Sequence, residues 1–186
     1  MVFIQWIFFY TLPAIGAISL ARSLRTPTQR ALAIHAGIVL SIALVSFTGV
    51  RLDWNISLLS LGCLGASVCL SFYLLRTEGL TYALSSAVQE WCILLAGILL
   101  APATGILIAA VLTALVFSLA HLMGPKEIGW KLPFTFGWGI VSILAYAGFH
   151  EPLLNIAIHA SAGALLIHAG YMRGHYGNTP PQESKN

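Results

Sequence analysis

The stretch Tyr82-Ala83-Leu84-Ser85-Ser86-Ala87-Val88-Gln89-Glu90-Trp91-Cys92-Ile93-Leu94-Leu95-Ala96-Gly97 holds one acid in an otherwise apolar run, and the next charged residue is Lys126. A carboxylate there must lie in a hydrocarbon layer or in a cavity within it. Either placement is costly, so an intramembrane acid is a functional candidate by default. Around it the chain is 58% hydrophobic and 8% charged over 186 residues. A soluble domain carries roughly 25% charged residues. This composition cannot clothe a water-facing surface and excludes a soluble enzyme. No basic cluster with interleaved aromatics points to nucleic acid.

A spanning helix needs about 20 mostly apolar residues. Seven such runs are readable, at 2–21, 30–49, 56–75, 80–100, 103–123, 132–149 and 152–172. The expectation is an all-α, polytopic transmembrane bundle in one domain, 1–173, with a polar, disordered tail at 174–186. The first run has no preceding basic region and is followed by Arg22 and Arg25, the pattern of a retained helix. Basic residues set orientation. With the N-terminus outside and the C-terminus cytoplasmic, eight of the nine Lys and Arg residues fall on the cytoplasmic side and only Arg51 outside. The expected location is a bacterial inner membrane. Gly62 with Ala66 and Ala160 with Ala164 have the four-residue spacing that lets helices approach closely. Cys63, Cys69 and Cys92 all lie in apolar runs, which argues against a disulfide framework. Cys92 stands about 200° round the helix from Glu90 and is read as packing.

Polar groups gather on three runs. Tyr82, Ser86 and Glu90 share one face of the fourth, with Gln89 about 100° away. Thr113, Phe117 and His121 share a face of the fifth, and Asn155, His159 and Gly163 a face of the seventh. His168 is about 180° from His159. His35, His150, His168 and His175 are read as structural or solvated.

The ordered set resembles the CPBP family of glutamic intramembrane proteases, which includes the CAAX prenyl endopeptidases and bacteriocin-processing enzymes. That family has Glu-Glu-x-x-x-Arg on one helix, Phe-x-x-x-His on the next and His-x-x-x-Asn on a later one. Here Phe117-Ser118-Leu119-Ala120-His121 fits the second motif, Glu90-Trp91 stands at the paired acids, and Pro152 through His159 resembles the approach to the third. The separations are 31 residues from Glu90 to His121 and 38 from there to His159, within a family-like core of about 80–168. The departures are specific. One acid replaces two: either Glu90 is the first and Trp91 replaces the second, or Gln89 replaces the first. The first alignment is preferred, because Glu90 is the acid available as a base. Leu94 or Leu95 replaces the arginine. Gly163 replaces the asparagine, for which Asn155 is a candidate substitute.

The resemblance implies an endopeptidase acting on a membrane-anchored protein or peptide. Glu90 would activate water, His121 orient it and His159 stabilise the oxyanion, with Phe117, Asn155 and Gln89 in support and neither cofactor nor metal. Three other readings use the same residues: a scaffold or immunity-type protein that kept the fold without its chemistry, a Glu90–His121–His159 zinc hydrolase, and, more weakly, a transporter. Depth is the sharpest constraint. Glu90 and His159 each lie 14 residues from a basic edge residue, about 21 Å, while His121 lies five from Lys126, about 8 Å. Straight helices would leave the levels about 13 Å apart; tilt, or a helical or re-entrant 124–131 segment, would bring them together.

Overall fold

The computed structural model describes residues 1–121 and 131–171. The expected polar tail and most of the 124–131 connection lie outside them. Among the described residues the chain forms seven helical segments: α1 (Val2–Ser23), α2 (Pro27–Ser46), α3 (Leu58–Leu75), α4 (Gly79–Thr104), α5 (Ile106–Ala120), α6 (Lys131–Phe149) and α7 (Pro152–His168). Five are long and apolar enough to cross a membrane; α5 and α7, at 15 and 17 residues, are shorter. The outside of the bundle is apolar, and its interior holds polar groups beside an apolar core. Phe8, Ile15, Leu20, Val39 and Leu59 are exposed, whereas Ser41, Ser67, Ser86, Glu90, Thr113 and Ser142 are buried. Apolar groups outside and polar groups inside mark an integral membrane protein.

Local chemistry fixes the boundaries. Thr26 and Gln29 form a reciprocal capping box that starts α2, three residues earlier than expected. Ser57 and Ser60 do the same for α3. Such boxes satisfy N–H groups that a helix start leaves unpaired. Pro102 sits in the last turn of α4, and Gly105, at φ +80°, ends it. At its start, α1 carries a π-helical turn at Ile7–Thr11. Trp6 Nε1 donates to Thr113 Oγ1 and Tyr10 Oη to the Thr113 carbonyl, both at 3.2 Å, tying α1 to α5.

α4 is the central post. It packs against every other helical segment, and 72% of its most apolar 18-residue window is buried, against at most 28% for the other four long helices. That position places Glu90 at the centre of the molecule. Three glycines let neighbours come close. A Cβ on Gly97 would stand 2.9 Å from Ile143 of α6, and one on Gly139 of α6 would stand 2.8 Å from Ala114 of α5. Gly79 lies against the backbone of the preceding turn, where a Cβ would be 2.6 Å from Phe72 Cα. Of the two pairs expected at helix contacts, Ala160 and Ala164 are buried. Gly62 and Ala66 are exposed, with nothing within 4 Å of a Cβ at 62. The serine face of α3, with Ser60, Ser67 and Ser71, turns inward instead.

The 50–57 connection is clipped to the α6–α7 turn. Tyr146 Oη accepts from Asp53 N (2.6 Å), Asn55 N donates to the His150 carbonyl (2.9 Å), and Ser57 Oγ donates to Glu151 Oε2 (3.1 Å). Overpacking a tight site costs about 1–3 kcal/mol. Gly79→Ala is therefore expected to lower stability by about that much, and Gly62→Ala by less than about 0.5 kcal/mol. Unfolding of the purified protein in mixed micelles measures both.

Candidate functional site

Glu90 has no exposed surface. Its carboxylate accepts hydrogen bonds from two helices. From α6, Ser142 Oγ donates to Oε1 and Trp138 Nε1 to Oε2 at 3.3 Å. From α7, His159 Nδ1 lies 2.8 Å from Oε2. Trp138 and Ser142 are four apart and present one face of α6 to α4. Asn155 completes the network: its Nδ2 donates to Ser142 Oγ (2.9 Å) and to the Ser142 carbonyl (2.7 Å). A buried carboxylate without donors would be prohibitive. Here each oxygen has at least one.

Beside this cluster opens a cavity of about 50 Å³, lined among others by Tyr82, Gln89, Phe117, His121, Trp138 and His159. A water needs about 10–15 Å³ of such volume, so the cavity has room for a few waters. His159 is the link. Its Nδ1 faces Glu90, and the residue also lines the cavity. His121 ends α5, its Nδ1 2.9 Å from the Phe117 carbonyl. A carbonyl only accepts, so Nδ1 carries the proton there, which fixes the tautomer of the neutral ring. The Phe117 ring stands between the histidines, its centroid 4.4 Å from that of His121 and 6.2 Å from that of His159.

The structure thus brings Glu90 and His159 into direct contact and puts His121 on the same cavity. α5 is short, its fifteen residues rising about 22 Å, and the 124–131 segment on which the expected depths turned lies mostly outside the described residues. Gln89 and Phe117 line the cavity as well. Two expectations about geometry are revised. Glu90 does not line the cavity: its turn of α4 points Gln89 there and Glu90 towards α6. Asn155 is not at the place a side chain on Gly163 would occupy; its amide is spent on Ser142.

Trp138 and Ser142 were not singled out from the sequence. Thr135, Trp138 and Ser142 form an i, i+3, i+7 polar stripe on the sixth run, the same signal that marked the fourth. His35, read as structural or solvated, reaches the cavity wall indirectly: its Nε2 is 2.6 Å from Ser85 Oγ, which accepts from Gln89 Nε2 at 2.9 Å. Among the described residues, no group of three His, Cys, Asp or Glu side chains is placed to hold a metal, and the third member of the zinc set, His121, makes its Nδ1 contact within its own helix. No family model, curated protein or solved structure matches this chain.

A buried donor left without its acceptor costs about 1–3 kcal/mol. Glu90→Ala orphans Ser142, Trp138 and His159 and should destabilise the bundle by at least about 3 kcal/mol, whereas His121→Ala should cost about 1 kcal/mol. Equal effects in thermal unfolding would show that the Glu90 network does not hold α4, α6 and α7 together.

Proposed function

We propose that this chain is an intramembrane endopeptidase that hydrolyses a bond in a membrane-anchored protein or peptide. One observation carries the proposal: His159 touches a fully buried carboxylate and lines a cavity with room for a few waters. A buried acid on Nδ1 holds an imidazole in the tautomer that leaves Nε2 as a base, and it stabilises the imidazolium that forms. Glu90 touches His159 but does not line the cavity. Direct water activation, expected of Glu90, is therefore reassigned to His159 in place of the oxyanion role expected there, and Glu90 acts through it.

In the proposed reaction a cavity water, oriented by His121, attacks the carbonyl carbon of the substrate. Its proton passes to His159 Nε2 as the C–O bond forms and the carbonyl π electrons move to oxygen. Collapse of the tetrahedral intermediate breaks the C–N bond, and His159 returns the proton to the leaving amine. The low-dielectric surroundings strengthen each of these electrostatic interactions. We further propose a seven-pass arrangement in which α5 and α7 join the five long helices. The N-terminus is outside and the C-terminus cytoplasmic in a bacterial inner membrane, as the basic-residue asymmetry favours.

One observation supports a second reading, a non-catalytic scaffold: the Glu90 carboxylate is engaged by Ser142, Trp138 and His159, and the polar α4 groups on the cavity are a phenol, Tyr82, and an amide, Gln89, not an acid.

Comparing protein termini by mass spectrometry between cells carrying the wild-type chain and cells carrying Glu90→Gln separates the two. The proposal expects wild-type-only termini next to a membrane anchor, lost equally in His159→Ala and insensitive to chelators in isolated membranes. By analogy with triads that lose the acid's charge, the rate in Glu90→Gln should fall by about 10⁴-fold. Identical termini in all strains would favour the scaffold.

A further inference from the structure

The reaction proposed above takes a proton from water but assigns no donor to the negative oxygen that water attack creates. Such a donor is typically worth about 100- to 1,000-fold in rate. Tyr82 occupies the place where one is needed. It lies two turns before Glu90 on α4 and lines the cavity with His159. Its hydroxyl packs onto Gly163 of α7: a Cβ built at 163 would fall on the Tyr82 oxygen and stand 2.8 Å from Cζ. Glycine is therefore required at 163 by the tyrosine, not by the α7 backbone, which is ordinary helix there.

Gly163 is one turn beyond His159 on the same face of α7, so the phenol seated on it and the His159 ring line one cavity. A hydroxyl has one proton to give and two lone pairs, so the Tyr82 phenol, which lines the cavity, can turn its proton into it.

We propose that the Tyr82 hydroxyl is the oxyanion donor of this site, seated by Gly163. The proposal rests on the peptidase reading above and extends it, because it gives Tyr82 contact with the reacting oxygen.

The test uses the full-length protein in lipid vesicles and a myristoylated, internally quenched peptide library, with kinetics followed on the best-cleaved member. Tyr82→Phe, which removes one oxygen, should lower kcat about 100-fold and leave KM within about twofold, the split expected when an interaction is made only in the transition state. Gly163→Ala, which displaces the phenol, should give a similar loss of kcat. Tyr82→Ala/Gly163→Asn, which builds an amide donor from the other helix, should recover at least about tenfold over Tyr82→Ala, a rescue that a packing role would not produce. Thermal unfolding of each variant identifies loss of fold, and Gly163→Ala carries the test if Tyr82→Phe does not fold. An active wild type with Tyr82→Phe at full kcat, or with only KM raised, overturns the role of Tyr82 and leaves the peptidase reading standing. No cleavage of any library member by the wild type counts against both.

Discussion

The hydrogen-bonded carboxylate of Glu90 is the constraint on which the rest of the bundle depends. A fully buried charge in an apolar molecule is tolerable only if the surroundings supply donors. Two neighbouring helices do so. Ser142 and Trp138 come from α6, and His159 from α7. Their registers against α4 are consequently set by one side chain. The close approaches at Gly97 and Gly139 give those registers room. Asn155 holds Ser142 in turn, so the polar core is satisfied outward from Glu90 as well as at it.

The same arrangement divides labour along α4. Adjacent residues Gln89 and Glu90 point about 100° apart, one to the cavity and one to α6. An acid at 89 would touch water directly. An acid at 90 reaches the cavity only through His159. The histidine thus becomes the element that couples a buried carboxyl group to the pocket, and its Nδ1 is held by that group. The serine-linked chain from His35 through Ser85 to Gln89 fixes the other side of the same pocket.

Much of this was legible in the sequence, for identifiable reasons. Seven apolar runs gave seven helical segments because hydrophobic length is a strong signal in membrane proteins. Glu90 and His159 stood out because ionisable groups are rare in such runs. Boundaries shifted where caps decide them, as at Thr26. Gly62 was misassigned because spacing reveals a stripe of small residues but not which way it faces. Ser142 and Trp138 were missed because neither is ionisable; only their shared face in the sixth run marked them. The fit of Tyr82 against Gly163 could not be read at all, since it joins positions 81 residues apart on helices whose register depends on Glu90.

The contact between Glu90 and His159 is the central claim, and it can be measured without knowing a substrate. Solid-state NMR on the protein in bilayers, with ¹³C-labelled glutamate and ¹⁵N-labelled histidine, reads the dipolar coupling between Glu90 Cδ and His159 Nδ1. The account predicts a resolved coupling that vanishes in His159→Ala, and a strongly hydrogen-bonded Nδ1 proton that shifts in Glu90→Gln. A His159 ring with no coupling to Glu90, and a spectrum indifferent to Glu90→Gln, would contradict it.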